Sequence, residues 1–292
     1  MAVERLRIAG EGGRQLDVFL GGAPQGTPVL VHHGTFGSGS LYAGWVGDAE
    51  RRGIRLISYS RPGYGGSSRD AGRDVARAST DVAAIASHLG ITRLATWGYS
   101  GGAPHALACA SLLPKLVVAA ATIACPAPYR AEGLDFVAGM GEDNVREFSR
   151  TLEGEAAIRP DHEAAVASMG GTAEEVVNQM ASIFSQVDRA VVCGPLAEWL
   201  EGTSREAFSS GVDGWVDDDL AIVRPWGFDP ETISLPLQLW QGGQDLMVPT
   251  DHYRWLSSRL PQADAHFLPD EGHMTLLVNR VPEVHAWLLD RF

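Results

Sequence analysis

The chain has 292 residues, 45% of them hydrophobic and 20% charged, with a formal net charge of −13. A chain of this length hides about three quarters of its unfolded surface, so it can build a large core, and its globular composition excludes disorder as the main state. Thirty-six acids stand against twenty-three bases with no basic run, which excludes a nucleic-acid surface; the surplus of negative charge serves solubility.

Residues 1–10 mix acids and bases around no apolar centre and do not read as a signal peptide. Residues 16–20 read as a strand. Pro28-Val29-Leu30-Val31-His32 reads as a second, buried strand, and a glycine-rich turn follows at 34–39. Helical spacing over 41–52 ends at Gly53, a plausible C-terminal cap. Residues 54–59 are strand-like, 61–66 turn-rich, 74–89 helical up to Gly90, 93–97 a strand, 103–113 a helix and 116–125 a buried strand. Strands alternating with helices predict the α/β class, a mostly parallel twisted sheet with helices on both faces.

From residue 129 to residue 234 the strand signal fades, and helical stretches follow at 143–153, 161–169, 173–188 and 197–208. Strand character returns at 235–240, then a helix at 251–260, a strand at 265–268 and a helix at 281–289. The expected organisation is a sheet-bearing body, 1–128 and 235–292, interrupted by a helical cap, 129–234. The longest apolar run, 116–125, falls short of the roughly 20 residues a membrane-spanning helix needs.

Cys109, Cys125 and Cys193 are odd in number and widely spaced, with no zinc pattern or CxxC. Cys109 and Cys125 lie in apolar runs and are expected to be buried as small hydrophobes. The expectation is a reducing, cytoplasmic setting and a monomer or homodimer acting on a small molecule, without nucleic acid or membrane as partner. No metal ligand set or phosphate loop is visible, and the chemistry below needs no cofactor.

Gly98-Tyr99-Ser100-Gly101-Gly102 has the form G-x-S-x-G between a predicted strand and a predicted helix, the context that motif requires of a nucleophile turn. The position puts Ser100 at a helix N-terminus, where free backbone N–H groups favour developing negative charge. A serine hydroxyl needs a base to take its proton. Among nine histidines, His273 of Asp270-Glu271-Gly272-His273-Met274 follows the last predicted strand on a loop into the last helix. His105 is the nearest rival in sequence but sits on the helix after the serine. The base needs a carboxylate to fix its tautomer. Asp245, in Gln241-Gly242-Gly243-Gln244-Asp245, follows the strand 235–240, with Asp251, Asp264, Asp270 and Glu271 as alternatives nearby. An oxyanion hole would combine the N–H of Gly101 with one from His32-His33-Gly34-Thr35-Phe36-Gly37, Thr35 first and Phe36 second.

Together the His-Gly loop, Ser60-Arg61-Pro62-Gly63-Tyr64-Gly65-Gly66-Ser67, the Ser100 turn, Gly242-Gly243-Gln244-Asp245 and Gly272-His273 resemble the α/β-hydrolase superfamily. The resemblance covers residues 4–128 and 234–292. It implies that Ser100, Asp245 and His273 act as nucleophile, acid and base, and that the insertion is a cap over the pocket. Serine at the nucleophile position disfavours the aspartate chemistry of similar dehalogenases and epoxide hydrolases. Similar proline iminopeptidases carry Gly-Gly-Ser-Trp-Gly at this turn, which leaves peptidase activity as an alternative, beside C–C bond hydrolysis and a non-hydrolytic receptor or cyclase. Ser60 stands where many relatives have aspartate, which is expected to alter a structural hydrogen bond.

Tyr99, Trp215, Trp226 and Met274 are the candidate lining of an apolar pocket, with packing of the cap onto the body as the alternative for the tryptophans. Gly211-Val212-Asp213-Gly214-Trp215 and Pro225-Trp226-Gly227 read as joints, and Asp217-Asp218-Asp219 as a solvated helix start.

Overall fold

The computed structural model describes residues 3–292, so only residues 1–2 of the N-terminal stretch lie outside it. Eight strands form one sheet in the order β1-β2-β4-β3-β5-β6-β7-β8. They are β1 Glu4–Ala9, β2 Gln15–Gly22, β3 Thr27–His32, β4 Ile54–Tyr59, β5 Leu94–Tyr99, β6 Val117–Ile123, β7 Leu237–Gly242 and β8 Asp264–Leu268. β2 pairs antiparallel with both β1 and β4, and every other pairing is parallel. The sequence reading lacked β1, whose charged, half-exposed edge carries little apolar signal.

Helices cover both faces because the strands are apolar on both. Side chains alternate along a strand, so Val29 and Val31 of β3 join one core cluster while Leu30 between them joins another. On the first face pack α1 Ala43–Arg51 and α12 Val281–Leu289, through Trp45, Val46, Val284 and Leu288. On the other pack α2 Ala78–His88, α3 Ala103–Leu112 and α10 Thr250–Arg259, through Val82, Ile85, Leu107 and Leu256. Cys109 and Cys125 are buried and Cys193 is exposed; all three are free thiols. No helix among the described residues is long and apolar enough to cross a membrane.

Between β6 and β7 the chain makes α4 Glu142–Leu152, α5 Glu155–Ser168, α6 Ala173–Gln179, α7 Gln186–Val191, α8 Gly194–Ala207 and α9 Asp213–Val223. The last short helix, α11 His273–Asn279, precedes α12. The stretch expected as one helix over 173–188 is two, because Ser185 caps a fresh start at α7 by accepting from the Asp188 N–H. The expected joint at Gly211–Trp215 is instead the entry and first turn of α9. The acidic run is corrected as well. Asp217, Asp218 and Asp219 lie mid-helix and are 2%, 0% and 2% exposed; Asp217 pairs with half-buried Arg69, Asp218 with buried Arg61 and Asp219 with buried His162.

Candidate active site

The candidate residues gather at one edge of the sheet because the strands bearing them are parallel. Thr35, Ser100, Asp245 and His273 all follow the C-terminal ends of β3, β5, β7 and β8, the edge where open α/β sheets place their ligands.

Ser100 joins β5 to α3 with φ at 53°, a positive value for a residue with a side chain. Such conformations cost about 1–3 kcal/mol and persist where the surroundings over-determine them. Here the packing is visible. A Cβ on Gly98 would strike the Gly102 carbonyl, and one on Gly102 would strike the carbonyls of His32 and His33. Ser100 lines a chamber of about 100 Å³ together with Thr35, Phe36 and Gly101.

His273 is the first residue of α11 and 3% exposed. Its Nδ1 lies 2.7 Å from Asp245 Oδ2, while Asp245 Oδ1 accepts from the N–H of Met247 at 2.8 Å and of Val248 at 2.9 Å. A carboxylate fixed in this way accepts a hydrogen bond from Nδ1–H and leaves Nε2 as the basic nitrogen. Burial by itself pulls the imidazole pKa down; the charge and hydrogen bond of Asp245, with the charge of Asp188, outweigh it and raise the pKa above the ordinary value. The rival histidines are engaged elsewhere. His105 meets the Gly101 carbonyl through Nδ1 at 3.0 Å and is held neutral by burial and the nearby Arg61 charge. His252 meets the Ala127 N–H and the Phe136 carbonyl, and His285 meets Asp48.

Gly101 and Thr35 are packed so closely that a Cβ on Gly101 would run into Thr35 Oγ1. The Thr35 hydroxyl donates to Asp218 Oδ2 at 2.7 Å. That same carboxylate, from α9, accepts from Arg61, Arg73 and the Tyr64 hydroxyl. Burial disfavours its charge, but Arg61 and Arg73 prevail and hold the carboxyl well below the usual range. The loop after β3 is therefore pinned by a buried charge network. Ser60 accepts the Gly39 N–H at 3.0 Å, and Arg61 takes its carboxylate from Asp218.

The Ser100 chamber adjoins a cavity of about 810 Å³, with Phe36, Asn144, Glu147, Met180, Ile183 and Trp215 common to both. The shared wall holds a group that sequence spacing does not reveal, with Glu147 facing both spaces, His162 the larger and Asp219 the chamber. Glu147, His162 and Asp219, on α4, α5 and α9, bring ligand atoms within 4.8 Å of one another. His162 Nε2 lies 2.7 Å from Asp219 Oδ2, the Trp215 indole donates to Glu147 at 2.9 Å, and His162 stacks flat on Trp215 at 3.7 Å. Burial, then the Asp219 charge, push Glu147 up to about 8. Burial likewise raises Asp219 well above its ordinary value, and lowers His162 to about 4. Such a group could hold a substrate cation or a metal ion.

Of the residues expected to line the pocket, Trp215 does so. Tyr99, Trp226 and Met274 are not among the residues lining these two cavities; they are 8%, 3% and 3% exposed and belong to the core clusters. Tyr99 packs on Trp45 at 5.5 Å and Trp226 on Phe228 at 5.8 Å.

An acetyltransferase component (dihydrolipoyllysine-residue) of the acetoin cleaving system of Pseudomonas putida is 28% identical over 276 residues, 90% of this chain and 63% of that protein. An uncharacterized hydrolase of Bacillus subtilis is 33% identical over 93 residues, 32% of each chain. The chain thus spans less than two thirds of the length of either relative. Among solved structures, a thermophilic esterase from Thermogutta terrifontis superposes with a TM-score of 0.71 at 20% identity, covering 99% of both chains. An esterase from Exiguobacterium antarcticum does so with a TM-score of 0.70 at 17% identity, over 98% of this chain and 100% of that one. These two likenesses are likenesses of fold. The sequence profile of the α/β hydrolase fold matches residues 27–280, and with that match over most of its length the chain belongs to the α/β-hydrolase fold family.

Proposed function

We propose that this chain hydrolyses a carboxylic ester, or a related acyl bond, of a small and fairly apolar molecule through an acyl-enzyme. The observation that carries the reading is the buried His273–Asp245 pair, 2.7 Å apart, at the sheet edge that also bears Ser100 on a strained turn. In this mechanism Ser100 Oγ attacks the carbonyl carbon as His273 Nε2 takes its proton. The oxyanion receives the N–H groups of Gly101 and Thr35, with Phe36 the second choice for the latter; each such donor is worth about 10²–10³ in rate. The imidazolium, held by Asp245, gives its proton to the departing alkoxide. Water, giving a proton to the same His273, then attacks the acyl carbon, and Ser100 leaves with that proton.

Two structural neighbours are named as esterases and the Pseudomonas putida relative as an acetyltransferase component, which agrees with acyl chemistry. Ser100→Ala is expected to abolish hydrolysis of 4-nitrophenyl acetate and labelling by a fluorophosphonate. Undiminished turnover in that variant overturns the reading.

One observation favours a second reading, the cleavage of an aminoacyl ester or amide at a free amino group. Glu147 and Asp219 stand in the wall of the Ser100 chamber, and among the described residues no arginine or lysine pairs with either. A substrate ammonium would favour the ionised form of these carboxyls, which burial holds protonated. Comparing aminoacyl amides with neutral esters of equal length separates the two readings.

A further inference from the structure

The turn that carries His273 is fastened to the helical insertion by a single carboxylate. Asp188, on α7, is 0% exposed. Its Oδ1 accepts from the backbone N–H of Met274 at 2.7 Å and of Thr275 at 3.1 Å. Its Oδ2 accepts from the N–H of His273 at 3.1 Å and from the Ser185 hydroxyl at 2.7 Å. The three N–H groups are first-turn donors of α11, which have no partner inside their own helix. Left bare, they would set partial positive charge beside the imidazole and disfavour its protonated form. Asp188 satisfies all three at once and brings a full negative charge. A side chain at Gly272 would strike this carboxylate, so the contact is closed on that side too.

The surrounding charges leave that role to Asp188. From the loop after β7 comes Asp245, which holds Nδ1. On α7 itself Arg189 turns to the carbonyls of Phe184 and Ala181. Before α11, Glu271 is paired with Arg280, and on α12 His285 is paired with Asp48. The segment leading into α7 also faces the ligand space, since Met180 and Ile183 line both cavities. The same short stretch thus touches whatever fills the cavity and grips the turn bearing the base.

We propose that Asp188 is a positioning residue for His273: it fixes the backbone of the His273 turn, sustains the imidazolium formed during acyl transfer, and makes a competent base conditional on α7 being seated against α11. The inference rests on the hydrolase reading given above.

The test follows the titration of the His273 imidazole by NMR in the wild-type chain and in Asp188→Asn, with His273→Gln assigning the signal. The midpoint is expected to fall by about one pH unit in Asp188→Asn, the usual effect of removing a nearby opposite charge. With 4-nitrophenyl acetate, kcat is expected to fall about a hundredfold with little change in KM, as for a displaced catalytic group. Asp188→Glu should recover part of both losses. An unchanged His273 midpoint in folded Asp188→Asn overturns the proposal. If Asp188→Asn does not fold, hydrogen exchange of the wild-type chain decides. Exchange of the amides of His273, Met274 and Thr275 as one unit with those of α7 supports the coupling, and independent exchange overturns it. The imidazole titration needs no substrate, so it judges Asp188 even if the wild-type chain turns over no ester, a result that would count against the hydrolase reading alone.

Discussion

Asp218 of α9 and Arg61 of the loop after β4 form an ion pair 2.5 Å long, with side chains 0% and 1% exposed. Arg73 meets the other oxygen of the same carboxylate at 2.6 Å. Two guanidinium groups and one carboxylate leave the network with no uncompensated acid, and its geometry ties the helical insertion to the body beneath the Thr35 loop. Removing one member of such a network leaves buried charge without a partner. Asp218→Asn is therefore expected to cost about 3–5 kcal/mol, read as a lower midpoint of urea unfolding. The Asp218 carboxyl is depressed below its ordinary pKa. Its contribution is thus present above the unfolded carboxylate range and is lost only as pH falls through the depressed value. A midpoint equal to that of the wild-type chain would show the network to be dispensable.

The His273–Asp245 bond should be visible in turnover. With Asp245→Asn the amide can donate to Nδ1, which favours the wrong tautomer. A fall in kcat of about 10⁴, with KM little altered, is expected on the precedent of serine triads. Steady-state kinetics on 4-nitrophenyl acetate measures it, and a fall of less than tenfold would remove Asp245 from its role.

The pH profile follows from the raised pKa of His273. A protonated imidazole cannot accept the Ser100 proton. Activity should therefore rise with pH, and the acid limb of kcat/KM should have its midpoint above the ordinary histidine value of about 6.5. A midpoint below that value would mean that burial, not the Asp245 and Asp188 charges, governs the base.

Gly101 tests the oxyanion loop through steric contact. Because a Cβ here would run into Thr35 Oγ1, Gly101→Ala must push the turn and the loop after β3 apart. A loss in kcat of about 10²–10³, the value of one oxyanion donor, is expected together with a lower melting temperature, since overpacking costs about 1–3 kcal/mol. Full activity in Gly101→Ala would place the oxyanion donors elsewhere.

Glu147 offers a different readout. Its carboxyl is pushed up to about 8 by burial and the Asp219 charge. The folded chain therefore holds a proton that the unfolded chain releases, and this acid makes folding less favourable as pH rises from its ordinary range through about 8. Glu147→Gln, which carries no charge to bury, should melt higher than the wild-type chain at pH 8, with a smaller advantage at pH 5. In the same variant the preference for an aminoacyl ester over a neutral ester of equal length should fall on the second reading of function.

Much of the body was legible in sequence because its signals are local. The strand β3 shows as a run of apolar residues, and the Ser100 turn shows as glycines at the two positions where the chain crowds itself. Chain order carried Asp245 and His273, since each follows a strand of the alternating pattern. The insertion was legible only as helices. Its break at Ser185 was hidden because a serine inside a helical run gives no sign of being a cap until the chain is seen to turn there.

By itself the sequence determined the α/β class, the sites of the Ser100, Asp245 and His273 loops, and the loop carrying Thr35 and Phe36, because hydrophobic period and glycine turns are properties of neighbouring residues. Tertiary structure alone decided what the acids of the insertion do. Successive residues of a helix point about 100° apart, so Asp217, Asp218 and Asp219 face Arg69, Arg61 with Arg73, and His162 in turn. Asp188 and Glu147 meet their partners across long stretches of chain, on separate helices brought together by packing. No spacing in one dimension encodes that meeting, and it is there that the shape of the cavity and the setting of His273 are made.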